Sequence, residues 1–117
     1  MRKSIEEIAR ETGRYSPMAF KFVQEGLEYT VRNITKESRH ISGQTLCEGL
    51  RRMALEKYGR LAVLVLKSWG IRTTRDFGEI VYILIDYEWM NAQPSDTIDD
   101  FNDVYDFQTA LVDQFTF

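Results

Sequence analysis

The sequence predicts a mainly α protein: about five helices in a compact orthogonal bundle, followed by an irregular acidic C-terminal segment, with room for one short strand pair. Three observations lead there. Capping residues recur just ahead of apolar stripes spaced by three and four residues. The two most apolar runs, 61–66 and 80–85, flank a tight turn around Trp69-Gly70. Beyond Pro94 the helical period disappears, and acids alternate irregularly with aromatic and aliphatic residues.

The first helix opens at Ser4-Ile5-Glu6-Glu7, a capping box in which Ser4 and Glu7 satisfy each other's backbone N–H. Ile5, Ile8 and Ala9 mark its inner face, and Gly13 stops it. The second opens at Ser16-Pro17, where proline loses nothing because the first helical N–H has no intrahelical partner. Its stripe is Phe20, Val23, Leu27, Val31 and Ile34, and it fades in the polar stretch 35–38. Ser42 caps the third, whose inner stripe is Leu46, Leu50, Met53, Ala54 and Tyr58, with Gly59 as the stop. Gly49, inside this helix, costs about 1 kcal/mol of propensity relative to alanine, so a close helix crossing is expected there.

The fourth segment, 60–69, contains six apolar residues in a row, a pattern shared by buried strands and buried helices. Its position between Gly59 and Gly70 favours a helix, and the runs 61–66 and 80–85 together are expected to form the core. The fifth helix is expected over 74–90, capped by Thr73 or Thr74 with Asp76 and Glu79 at the positive end of its dipole. That length exceeds an ordinary strand. The segment 94–107 is expected to wrap the bundle with Phe101, Val104, Tyr105 and Phe107 in grooves. The domain is thus assigned to 1–107 and a C-terminal tail to 108–117, with Leu111, Phe115 and Phe117 as its apolar residues.

Composition narrows the class of function. At 117 residues, 44% hydrophobic and 13% aromatic, the chain can bury a core without staples. Lys67, Glu79 and Asp86 interrupt the apolar runs, so no membrane span is expected. Basic residues at 2 and 3 precede no apolar stretch, which argues against a secretory signal. One cysteine, Cys47, allows no internal disulfide, and the expected setting is cytoplasmic. The net charge of −3 conceals a split: residues 1–75 hold all 15 Lys and Arg against 8 acids, whereas 76–117 hold the other 10 acids and no base. A split of this kind bears on partners and self-association.

Residues that could carry chemistry are few. His40 and Cys47 are the sole histidine and cysteine, and a nucleophile pair would need them in hydrogen-bond reach. A buried structural thiol is the simpler reading. Asp96, Asp99, Asp100, Asp103 and Asp106 suggest a cation loop but lack the order and the glycine of an EF-hand, so a solvated acidic strip is preferred. No glycine-rich phosphate loop is present, and no cofactor is expected. The turn near Gly70 invites a helix-turn-helix reading, but Asp76, Glu79, Asp86 and Glu88 would repel phosphate from the following helix.

Arg14, Lys21, Arg32, Arg39, Arg51 and Arg52 are candidates for a basic face on helices two and three, fit for nucleic acid or an acidic partner. The opposing reading pairs such residues with nearby glutamates as ordinary surface charge. The acidic segment can lie over that face and mask it, within a chain or across a dimer.

Three blocks also carry a family resemblance: Ile8-Ala9-Arg10-Glu11-Thr12-Gly13-Arg14-Tyr15-Ser16-Pro17; His40-Ile41-Ser42-Gly43-Gln44 with Leu46-Cys47-Glu48-Gly49; and Trp69-Gly70 through Asp76-Phe77-Gly78-Glu79-Ile80-Val81, followed by Asp100-Phe101 and Tyr105-Asp106-Phe107. Together they resemble a family of small, mainly helical bacterial proteins of unknown function. The resemblance spans roughly 5–107 and implies one intact domain, and it assigns no catalytic or binding residue. The expectation is therefore a non-enzymatic interaction module that self-associates through exposed aromatics, with masked nucleic-acid binding as the alternative. A pocket uniting His40, Tyr15 and an acid would favour an enzyme instead.

Overall fold

The capping signals are honoured one after another. In the computed structural model, which describes residues 2–35 and 41–113, Ser4 Oγ accepts from the Glu7 amide at 3.1 Å and the Glu7 carboxylate returns to the Ser4 amide at 3.2 Å. This starts α1 (Ile5–Thr12), which Gly13 ends in the left-handed conformation. Ser16 Oγ accepts from the Met18 amide at the start of α2 (Pro17–Thr30), and a π-helical turn, Val31–Thr35, prolongs it. Ser42 caps α3 (Gly43–Tyr58), and a 3₁₀ turn at Gly59–Leu61 leads into the short α4 (Ala62–Ser68). Thr73 and Asp76 form a second capping box for α5 (Thr74–Asp86). A 3₁₀ turn, Ile98–Phe101, and a π-helical turn, Gln108–Val112, follow. The fold is mainly α with five α-helices, and no strand occurs among the described residues.

Packing centres on the crossing of α2 and α3. A Cβ added to Gly49 would overlap the Thr30 hydroxyl, and one on Gly26 would overlap the Leu50 side chain. Each glycine takes a side chain of the facing helix against its backbone, and Thr30, fully buried, turns its hydroxyl back to the Gly26 carbonyl at 2.7 Å. Phe20, Val23, Leu50, Leu66, Phe77, Ile80 and Leu84 fill the space around that crossing. The turn between α4 and α5 locks onto the α1–α2 connector. Gly70 has φ +96°, and a Cβ there would lie 2.8 Å from the Arg14 carbonyl. The Ser16 amide donates to the Trp69 carbonyl at 3.1 Å.

Three expectations are corrected. The run 61–66 is not uniformly core: Ala62 and Leu66 are buried, but Leu61 is 58% and Leu64 64% exposed. A seven-residue helix turns 100° per residue and can bury only one side, whatever the composition of the other. The fifth helix stops at Asp86 rather than at 90. Glu88 adopts φ 67°, and the Trp89 and Met90 amides both turn back to the Leu84 carbonyl. Trp89 is held by the N-terminal stretch: its indole donates to the Lys3 carbonyl at 2.8 Å, and the Arg2 guanidinium lies 4.1 Å from the ring centroid. Leu111, placed by sequence in the tail, is 1% exposed. Among the described residues no helix is long and apolar enough to cross a membrane.

Candidate functional site

The acidic segment is anchored by its apolar residues. Phe101 occupies a slot whose walls are glycines: a Cβ on Gly43 would lie 2.9 Å from the ring, and one on Gly78 2.8 Å from Phe101 Cβ. The buried Thr74 hydroxyl donates to the Phe101 carbonyl at 2.6 Å and accepts from the Val104 amide at 3.2 Å. Phe107 packs 5.8 Å from Phe77, and the Tyr105 hydroxyl donates to the Cys47 carbonyl at 2.7 Å. The expected lodging of these aromatics in grooves is observed.

The aspartates mostly serve the local chain. Asp96 accepts from the Gln93 amide, Asp100 from the Thr97 amide, and Asp106 from the Thr109 amide and hydroxyl. Asp99 reaches outward to Arg75 Nη1 at 3.0 Å. Asp103 is exposed and stands at φ 48°.

The basic residues do not gather under this segment. Arg14 stacks on Tyr15 and faces Glu79 at 3.6 Å, Lys21 pairs with Glu6 at 3.0 Å, and Arg51 and Arg52 share Glu48. Arg32 is exposed on the π-helical turn. Arg39, like His40, lies outside the described residues. The segment docks on α5 and the start of α3, where the Phe101 slot is, and Tyr105 reaches further along α3 to Cys47, near Arg51 and Glu48. The Arg51 hydrogen bond and, behind it, that from Arg52 hold the Glu48 carboxyl below its ordinary range against the opposing effect of burial.

What the segment builds is a cleft. It runs between α2, the start of α3, the second half of α5 and the stretch after Trp89, with a volume of about 500 Å³. Leu27, Val31, Leu46, Val81, Ile85 and Phe101 give it an apolar lining, and Tyr82, Asp96 and Asp100 give it a polar, acidic end. None of its described lining residues is Lys or Arg. The Tyr82 hydroxyl is shut off from solvent and has no hydrogen-bond partner among the described residues. Burial first, then the charges of Asp96 and Asp100, raise its pKa, so the phenol stays neutral at physiological pH. Leaving such a group unpaired costs about 1–3 kcal/mol, and this marks the acidic end as a place where a donor would be welcome.

A second feature is the outer face of α4. Leu61 and Leu64 stand out as a ridge with Val65 half-buried beside them, Lys67 one turn beyond Leu64, and Arg60 at its start. No acid occurs between 59 and 68. The large exposed hydrophobic residues among those described are Met18, Leu61 and Leu64, all aliphatic, so the expected exposed aromatics are not found there; Phe115 and Phe117 lie outside the described residues.

Catalytic chemistry finds little to work with. Cys47 is fully buried, and burial pushes its thiol up to about 12. Tyr15 donates to Asp76 at 2.5 Å, and burial together with that bond holds its phenol well above its ordinary range. Asp76 is already engaged by the Arg72 and Thr73 amides, making this a structural junction. Among the described residues no group of three or more His, Cys, Asp or Glu is placed to hold a metal ion.

Sequence reasoning missed Tyr82, Val31 and Leu64 as site residues. The shortness of α4 between two glycines was the available signal for Leu64. No local signal marks the cleft, whose walls come from four separate stretches of chain. Comparison with known proteins adds no relative: no protein-family model, curated protein or solved structure matches the chain.

Proposed function

We propose that the chain is a non-enzymatic interaction module that associates with copies of itself. The observation that carries the reading is the α4 ridge, where two leucines one turn apart are more than half exposed although the other described leucines are covered or half-covered. The chemistry available supports the same reading, since Cys47 is enclosed and Tyr15 and Asp76 are committed to each other. The candidate basic residues Arg14, Lys21, Arg51 and Arg52 are each engaged by a glutamate on the helical body, an arrangement that favours folding over phosphate binding. Sedimentation equilibrium over a wide dilution series tests the proposal. The mass is expected to rise with concentration above 13.7 kDa, and Leu64→Asp to hold it at that value while the helical circular dichroism is unchanged. A wild-type mass fixed at 13.7 kDa at every concentration would overturn it.

A further inference from the structure

The two features described above are complementary. The α4 ridge is apolar and flanked only by bases; the cleft is apolar and polarised only by acids along its described lining. None of the cleft's described lining residues belongs to α4, so a chain does not line its own cleft with its own ridge. We propose, resting on the self-association reading, that the ridge of one copy docks in the cleft of the next, with Leu61 and Leu64 against the apolar lining and Lys67 at the end formed by Tyr82 and Asp100.

Charge favours this arrangement over a parallel pairing of two ridges. Pairing two ridges about a dyad sets α4 against α4. In a parallel pairing Lys67 meets Lys67, and the stretch 59–68 carries no carboxylate of its own. Docking the ridge in a cleft instead brings the Lys67 ammonium to the end that holds Asp96 and Asp100. The cleft, about 500 Å³, falls within the ordinary range of about 300–1,000 Å³ for pockets that take a compact apolar group. The distribution of charge over the whole chain has the same sense: α4 belongs to the part that carries every base, and Tyr82, Asp96 and Asp100 to the part that carries none.

A head-to-tail contact between different surfaces leaves one ridge and one cleft open at the ends of any linear assembly. That property distinguishes it from a dyad. The experiment uses two variants of the whole chain. Leu64→Asp disables the ridge and leaves the cleft, at a residue already 64% exposed. Val31→Lys puts a cation in the cleft and leaves the ridge; Gln93→Arg, on the exposed rim, does so without touching a half-buried position. Thermal melts establish that each is folded.

Each single variant is expected to lower the association constant by about tenfold or more. An equimolar mixture of Leu64→Asp with either cleft variant is expected to recover association and to stop at a pair, because each partner supplies the one surface the other lacks. Wild type is expected to grow past a pair with concentration and to associate less at high salt. If wild type associates but the mixture stays monomeric, ridge-in-cleft docking is overturned while self-association stands; if wild type stops at a pair, the open head-to-tail chain is overturned. If wild type never associates, both fall. Tight binding of a small aryl ammonium in the cleft of a monomeric wild type would also overturn it, and would assign the cleft to a small ligand.

Discussion

The helical body and the acidic segment handle charge in different ways. In the body, cations are neutralised by carboxylates carried on neighbouring turns or facing helices: Arg51 and Arg52 on Glu48, Lys57 on Glu25, Lys21 on Glu6. In the segment, Asp96, Asp100 and Asp106 accept from amides three residues away. A chain with little regular helix has many backbone donors without partners, and short carboxylates close its turns. The density of acid beyond position 95 is thus explained largely by irregular structure, and Phe101, Phe107, Thr74 and Tyr105 attach the segment to the body beside the exposed Arg75–Asp99 pair. Net charge by region says where a partner's field would act; it does not say what holds the region in place.

This difference is easiest to break at Phe101. Phe101→Ala empties a slot that glycines alone can form, and is expected to lower the unfolding free energy by about 3–5 kcal/mol in a denaturant titration. A loss below about 1 kcal/mol, within the range of a surface ion pair, would mean that charge and not the aromatic anchor holds the segment. Thr74→Val keeps the shape but leaves the Phe101 carbonyl and the Val104 amide without their partner. A loss of about 1–3 kcal/mol is expected, with faster hydrogen exchange at the Val104 amide.

The smallest effects separate the two uses of charge most directly. Glu48→Gln is expected to cost less than about 1 kcal/mol at neutral pH, because the Arg51 and Arg52 pair is partly exposed and screened. The folded carboxyl is depressed, so its contribution is present above the ordinary carboxylate range and is lost as pH falls through the folded value. The difference between wild type and Glu48→Gln is therefore expected to vanish in acid and to shrink in salt. Asp106→Asn keeps an acceptor for the Thr109 amide, and its stability is expected to stay within about 0.5 kcal/mol of wild type at any salt concentration. A salt-dependent loss at Asp106 would erase the distinction.

Much of this architecture was legible because it is local. Ser4 with Glu7, Ser16 with Pro17, Ser42 and Thr73 each announce a helix start by chemistry confined to a few residues. Gly49 was legible for another reason: a costly residue inside a helix implied a near neighbour, and Thr30 is that neighbour. The end of α5 was not legible, since no glycine or proline marks it: Glu88 takes the left-handed conformation there, and Trp89 beyond it donates to the Lys3 carbonyl far away in sequence. Leu111 was assigned to the tail because the apolar run Ala110-Leu111-Val112 is too short to set a period that would betray its burial. The ridge and the cleft lay further out of reach. One needed the rotation of a short helix, and the other the meeting of four stretches that no pattern links.

The Phe101 slot also sets an order of events during synthesis. Gly43, Thr74 and Gly78 leave the ribosome before the phenyl ring that fits between them, and Leu111 follows ten residues later. Until then the nascent chain carries an open apolar trough on α3 and α5 that nothing yet made can close. The body can gain its helices early, but its final packing waits for residues 101–111, and for that interval the trough is the surface a chaperone would find.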